Sequence, residues 1–342
     1  MNGFTIQRTD DPSPYRDRIL SFWNAYIPGT PPGRFDWLSS GNPAGPTVWF
    51  CALDSRTGEF AGTVSLMPRQ LYAGGTPIRA AIMGDFMVGE RYRAFGPYLM
   101  LLKEATGSRT DLGLDCIYTI PNPVSRKPCE RVGMGKAKDL YCFVKPLMMR
   151  FYLEKVAPAV VAAALSPVVS ASLKLASREL FVSPRGVREE ALRFDARFDD
   201  FWSTLRDHAR GLIGDRSARY LAWRYAQNPL HRFRLLTYHD ESASQIRGYL
   251  VFTLFESEKP EVYDICALND GVMERLVAAL VGIARAEGSR AIYFRSPLSS
   301  PALRIFKRFR FLKTNDDLEL YYVGRTGIPM ESWDFLSGDR NI

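Results

Sequence analysis

Apolar and polar positions run through the same order of elements twice along the 342-residue chain. Two apolar runs, VWFCAL (48–53) and FRLLTY (233–238), read as strands, and past a polar turn each meets a second one, GTVSL (62–66) and GYLVF (248–252). Around them Trp37, Asn42, Pro43 and Gly62 recur at a constant offset of 186 as Trp223, Asn228, Pro229 and Gly248. In the first half the pattern continues as a strand over Ile78–Val88 and a helix that opens at Pro97 and stops before Gly107. A strand over Leu114–Ile120 and a short helix ending at Gly133 follow. The second half answers with a strand over Glu261–Leu268 and a helix capped by Asn269 or Asp270. Its apolar positions Val272, Met273, Leu276, Val277, Leu280 and Ile283 lie on one face, and Gly288 stops it. A strand at Arg290–Phe294, a helix near Pro301–Arg308 and a last strand at Leu318–Val323 complete the set.

This order predicts an α/β protein built as a tandem duplication, each unit a mixed central sheet flanked by helices. The expected boundaries are a first unit over 1–145, an apolar helical connector over 146–185, a second unit over 186–325 and a tail over 326–342. Trp37 and Trp223 read as core anchors rather than substrate contacts, since they recur where the chemistry-bearing positions of the two halves differ.

Two motifs in the first half carry a family likeness. Val88-Gly89-Glu90-Arg91-Tyr92-Arg93-Ala94-Phe95-Gly96 leads from a strand into a helix, and Asn122-Pro-Val-Ser125-Arg-Lys-Pro-Cys129-Glu130-Arg131-Val132-Gly133-Met134 follows at the expected distance. Together they resemble the GNAT superfamily of acyl-CoA N-acyltransferases, whose patterns at these places are Q/R-x-x-G-x-G/A and N-x-x-A-x-x-L-Y-E-x-L-G-F. Arg93 and Gly96 match the first pattern, while Pro97, which lacks an N–H, and Tyr98, in place of a small residue, depart from it. Ser125 stands for the small residue of the second pattern, Met134 for the aromatic and Cys129 for the tyrosine. The second half has no R-x-x-G at its corresponding turn, so its unit is expected to be degenerate. The paired tryptophan-NP segments and the tail Trp333–Asp339 are also similar to tandem acyltransferases associated with bacterial polysaccharide biosynthesis.

The resemblance implies acetyl-CoA or another acyl-CoA as donor, its pyrophosphate held by the turn before the second motif. Met87, Val88, Arg91, Arg93, Ala94, Phe95, Gly96, Tyr98 and Asn122 are the corresponding donor-binding positions. Unpaired N–H groups and the positive end of a helix attract phosphate, and guanidinium groups match it. Asp85, set among Ile82, Met83, Phe86 and Met87, is the expected catalytic proton acceptor, with a structural pairing to an arginine as the other reading. Cys129 takes the place of the family's proton donor, and Tyr118 and Tyr141 are alternatives. The implied activity is N-acyl transfer to an amine acceptor, an amino sugar or an amino-acid-like compound. Long-chain transfer from an acyl carrier protein, and a non-catalytic binding protein of the same fold, are the alternatives.

Composition narrows the field. Hydrophobic residues at 46% and charged residues at 24% describe a globular chain, and 45 Lys+Arg against 37 Asp+Glu give +8. The basic residues are scattered, so nucleic acid is not an expected partner. Five distant cysteines and three histidines offer no metal-ligand spacing, and no metal is expected. The polar start carries no signal peptide, which makes the cytoplasm the expected address. The connector, with VAPAVVAAALSPVVSASLKL between basic residues, reads as a helix packed between the units. Its sharper readings are an acyl-groove wall or, over 146–178, contact with a membrane surface.

Overall fold

The computed structural model describes residues 3–209, 211–240, 245–253 and 260–340, and the side chains of Ala94 and Phe95 fall outside that description. The first half holds β1 (Phe4–Thr9), α1 (Arg16–Tyr26), α2 (Gly33–Ser39), β2 (Val48–Asp54), β3 (Phe60–Ala73) and β4 (Thr76–Val88). It continues with α3 (Pro97–Gly107), β5 (Cys116–Thr119), α4 (Pro123–Arg131) and β6 (Gly135–Pro146). The connector forms α5 (Arg150–Leu153) and α6 (Ala159–Leu175). The second half holds β7 (Val187–Glu190), α7 (Ala196–His208), β8 (Leu212–Gly214), α8 (Ala218–Leu221), β9 (Phe233–His239), β10 (Ile246–Thr253) and β11 (Glu261–Ala267). After α9 (Asp270–Ala286) come β12 (Ala291–Ser296), α10 (Pro301–Arg308), β13 (Leu312–Lys313) and β14 (Leu318–Gly324).

These strands join one mixed sheet in the order β1-β2-β3-β4-β5-β14-β6-β12-β11-β10-β9-β7, with β8 paired to β3 and β13 to β6 off this path. The order is palindromic: each first-half strand has a second-half counterpart at the mirrored position, with β6 and β14 at the centre. The two units therefore exchange their last strands. Tyr321–Gly324 of β14 pairs with Cys116–Thr119 of β5, while Tyr141–Pro146 of β6 pairs with Ala291–Ser296 of β12. Neither unit closes its own sheet.

Side-chain alternation along the strands sorts the core into layers. Phe50, Ala52, Val64, Leu66, Ala81 and Met83 face α3, which answers with Leu101, Leu102 and Ala105. Leu236, Leu250, Phe252 and Ile265 face α9 and α10 in the same way. The opposite face, with Trp49, Ile82, Leu235, Tyr249 and Val251, forms one core common to both units, closed by α1, α2, α7 and α8. Trp37 and Trp223 lie buried within it, as expected of core anchors.

The connector departs from its expected place. Of α6 only Ala162 is buried, so it is not packed between the units but lies along the surface. Among the described residues no helix is long and apolar enough to cross a membrane.

Candidate functional site

β4 and β5 run parallel only from Ala80–Ile82 against Cys116–Tyr118, then separate. The cause is in β4. Its ladder with β3 slips between Thr63 and Ser65, where Asp85 and Phe86 together face one residue, and Asp85 takes a positive φ of 48°. Such a bulge bends a strand and interrupts its pairing, and aspartate is among the few side chains that tolerate the left-handed region. Beyond the bulge β4 leaves β5, and the gap is roofed by α3 on one side and α4 on the other.

The gap holds two adjoining compartments. The outer one, about 680 Å³, is bordered by Met87 and Val88 of β4, Arg93, Gly96, Tyr98 and Leu99 around the start of α3, and Asn122, Ser125 and Arg131 of α4. Tyr26 and Ile27 close its far side. The inner one, about 250 Å³, reaches between the strands to Met83, Asp85, Leu102, Thr119, Cys129 and Arg340. Phe86, Asn122 and Ser125 border both. Between them Tyr98 makes a waist: its ring rests on Phe86 at 3.8 Å between centroids, and its hydroxyl donates to Ser125 Oγ at 2.7 Å.

The mouth of the outer compartment suits an anion. Gly96 caps α3 with φ 88°, a conformation that glycine alone adopts freely, and no side chain satisfies the N-terminal N–H groups. Pro97 has none to give, but it stands at the first helical position, and the N–H groups of Tyr98 and Leu99 follow. Arg93 and Arg131 supply charge. Arg131, at the end of the second motif, had no assigned role in the sequence, although its place there was a usable signal. Arg91 does not join them. Its guanidinium is held by Glu59 and Tyr92, away from the compartment. Ala94 and Phe95, also expected here, have side chains outside the described residues.

Asn122 does two things. Its Oδ1 accepts from the Ser125 N–H at 2.9 Å and caps α4, and the residue borders both compartments. On β4, Gly89 N–H donates to Ala61 O at 2.9 Å. By the alternation of an antiparallel ladder, Val88 then turns its N–H away from β3 and into the gap, whereas Met87 points back to β3.

Asp85 is the one carboxylate bordering either compartment among the described residues. Both its oxygens are engaged: Arg34 Nη1 lies 2.6 Å from Oδ1, and Ser65 Oγ donates to Oδ2 at 3.0 Å. Arg34 is itself buried, stacked over Trp23 at 4.4 Å. Nothing in the sequence announced this partner, 51 positions upstream on α2. The arrangement repeats. Val88 pairs with Gly62 and Ala267 with Gly248, so counting back three residues makes Asp264 the counterpart of Asp85. Asp264 is also buried and ion-paired, 2.7 Å from Arg216. Burial pushes the Cys129 thiol up to about 11. Tyr118 turns its hydroxyl to Asp339 O, away from the gap.

The counterpart gap of the second unit is filled. β11 and β12 pair only at Glu261–Tyr293 and Val262–Phe294, and the C-terminal segment packs against both. Ser337 Oγ donates to Glu261 at 2.7 Å, Asp339 takes two hydrogen bonds from Arg216 at 3.0 Å, and a Cβ at Gly338 would collide with the Tyr225 hydroxyl. Phe294 stacks on Phe306, and Arg304 ties α10 to Asp270 at the start of α9. The tail thus plugs one gap and sends Arg340 to the other. No residue of 146–185 borders either compartment, so the connector is not an acyl-groove wall. Among the described residues no group of three or more His, Cys, Asp or Glu could hold a metal ion.

Neither protein-family models nor curated protein sequences match this chain. Solved structures do. A GCN5-related N-acetyltransferase from Anabaena variabilis aligns over 94% of this chain and 73% of its own, at 9% identity and a TM-score of 0.67. A conserved protein from Enterococcus faecalis described as a probable N-acyltransferase aligns over 93% and 71%, at 12% identity and 0.66. Saccharomyces cerevisiae N-myristoyltransferase with bound myristoyl-CoA aligns over 96% and 84%, at 11% identity and 0.63. The chain has the GNAT fold, in a two-unit arrangement consistent with that of N-myristoyltransferase.

Proposed function

We propose that the protein transfers an acyl group from acyl-CoA to an amine, using the gap between β4 and β5. The observation that carries this reading is the pair of adjoining compartments there, with an uncapped helix start and two arginines at the mouth of the outer one and the inner one reaching between the strands. The donor's phosphates meet the N–H groups of Tyr98 and Leu99 and the side chains of Arg93 and Arg131. Its pantetheine amides meet Asn122. The thioester lies at the waist, where the Val88 N–H receives the oxyanion as the amine attacks.

The amine nitrogen bonds to the acyl carbon, the C–S bond breaks, and the amine's proton passes to water. The departing thiolate takes a proton from Ser125, which Tyr98 replaces through their hydrogen bond before regaining one from water. Cys129 is left out of this step, because it is Tyr98 whose hydroxyl is hydrogen-bonded to Ser125. Asp85 acts as a positioning residue, its ion pair with Arg34 fixing the bulge that separates the strands. At roughly 30 Å³ for each non-hydrogen atom, an inner space of about 250 Å³ suits a short acyl chain. An amino sugar or an amino-acid-like amine is the acceptor class proposed.

Calorimetric titration with acetyl-CoA and with a long-chain acyl-CoA tests the reading. Saturable acetyl-CoA binding that Arg131→Ala weakens supports it. Preference for the long chain would replace the short acyl group with a long one. Binding of neither would overturn it.

A further inference from the structure

Among the described residues fourteen large apolar side chains are exposed, and ten of them fall between positions 148 and 181. Most belong to α6 and its ends. Val156 and Val160 are each 82% exposed, Val168 65% and Leu175 68%. A helix this apolar is normally buried in a core, yet Ala162 is the only buried residue of α6, with Ser166, Val169, Ser170 and Leu173 half-buried. Its 17 residues extend about 25 Å at 1.5 Å each, short of a bilayer's hydrocarbon core, and Pro167 interrupts its hydrogen bonds midway.

Along the segment that carries α6 the charges have one sign. No acidic residue occurs from 155 to 178, where Lys155, Lys174 and Arg178 lie. The nearest carboxylates are already paired: Glu154 with Arg150 at 2.7 Å, Glu179 with Lys145 at 3.4 Å and Arg285 at 2.9 Å, Glu274 with Arg308 at 2.9 Å and with Arg178 at 3.5 Å. Lys155, Lys174 and Lys307 have no carboxylate partner among the described residues. At the C-terminal end of α6, Arg178, Lys307, Arg308 and Arg310 surround a hollow beside Phe181, which is 69% exposed.

We propose that α6 docks the protein reversibly on an anionic lipid bilayer, its valines and leucines entering the interface while the lysines and arginines meet lipid phosphate. Apolar burial supplies one signal and the basic flanks a second, the pair that stable surface binding takes. A protein partner would need its own acidic rim, and a second copy of this chain would set like charge against like. The bilayer meets both demands with one surface. An enzyme held there would work on acceptors presented at the membrane. The inference stands apart from the acyl-transfer reading, since it concerns a surface that borders neither compartment.

Cosedimentation of the full chain with phosphatidylcholine vesicles, with and without phosphatidylglycerol, tests it in the absence of any acyl donor. Expected are binding to the anionic vesicles and release by salt, since the attraction is screened. The pair Val160→Asp and Val168→Asp should lower the binding about tenfold or more. The pair Lys155→Glu and Lys174→Glu should remove the preference for phosphatidylglycerol by a similar factor. All four positions are exposed, so far-UV circular dichroism should show an unchanged fold. Wild-type protein left in the supernatant overturns the proposal. So does binding that the substitutions leave untouched, or a dimer in sedimentation velocity that the valine substitutions dissociate, which would assign α6 to a second copy.

Discussion

Trp37 and Trp223 stack with their rings 4.8 Å apart and inclined by 18°, and each indole N–H donates to the other's main-chain carbonyl, at 2.8 Å and 3.0 Å. The two residues sit 186 positions apart, the offset at which the sequence repeats, so the contact marks the axis relating the two units. Equivalent residues on such an axis should be equivalent in energy. Trp37→Phe and Trp223→Phe each remove one buried donor and orphan one carbonyl, a loss of about 1–3 kcal/mol. The two values should agree closely, and the double mutant should show a coupling of about 0.5–1.5 kcal/mol from the lost stacking. Urea denaturation of the four proteins measures this. Additive, unequal effects would make the tryptophans two independent anchors.

Much of this architecture was legible because it follows local rules. The order of strands and helices came from periodicity, and the start of α3 and the cap of α4 from Pro97, Gly96 and Asn122. The exchange of β6 and β14 was not legible, because an apolar strand carries no mark of which sheet it will join. Arg34 and Arg216 were invisible as partners of Asp85 and Asp264 for a similar reason: an ion pair is chosen in space, across many residues of chain. The connector misled through composition. An Ala- and Val-rich helix reads as buried, and the sequence does not say that most of its apolar side chains stay exposed.

Asp85 and its arginine make the most informative pair to alter in the first unit. Asp85→Asn leaves the Arg34 guanidinium buried without a counter-charge, and about 3–5 kcal/mol of stability should be lost. Arg34→Met added to Asp85→Asn removes the stranded charge, so stability should return. Turnover should return with it while donor affinity stays constant, if Asp85 serves only to hold the bulge. A double variant that is stable and binds acyl-CoA yet turns over slowly would make Asp85 the proton acceptor.

The proton for the leaving thiolate separates Tyr98 from Cys129. Burial raises Tyr98 to about 12 and Cys129 to about 11, so both are protonated at neutral pH, but only the tyrosine is hydrogen-bonded to Ser125. Tyr98→Phe keeps the ring on Phe86 and deletes the relay. It should lower kcat about 10²-fold or more with KM for the donor little changed. Cys129→Ala should leave kcat within a few-fold. The reverse ranking would return the role to the cysteine.

Arg93 and Arg131 border the outer compartment and Arg91 does not. A charge-assisted hydrogen bond to phosphate contributes about 1.5–3 kcal/mol. Arg131→Ala and Arg93→Ala should therefore each weaken acyl-CoA binding by roughly ten- to hundredfold, more steeply at low salt. Arg91→Ala breaks the exposed contact with Glu59 and should leave that affinity unchanged. Calorimetry with the three variants decides. A loss with Arg91→Ala equal to the others would mean that this arginine leaves Glu59 to bind the donor.

Asp339 holds the plug of the second unit, and its charge gives that plug a pH dependence. Burial alone would raise its carboxyl, but Arg216 and Arg69 outweigh burial and hold it below the usual carboxylate range. Asp264 goes the other way: burial, with Asp339 adding like charge, outweighs Arg216 and raises it. Asp339, depressed in the folded state, contributes stability that is present above the unfolded aspartate value of about 3.9 and lost as pH falls through its folded value. Asp264, raised in the folded state, binds its proton first on acidification and stabilises the fold as it does so. Asp339→Asn should then cost about 3–5 kcal/mol at neutral pH, because Arg69 and Arg216 keep only one counter-charge. The deficit should narrow as pH drops below about 4, where the unfolded wild type takes up a proton that its folded state still resists. Asp264→Asn should cost less at neutral pH than Asp339→Asn. Denaturant titrations of the three proteins at neutral and acid pH measure each difference, and a deficit for Asp339→Asn that stays constant across the range would remove Asp339 as the charged group that holds the segment in place.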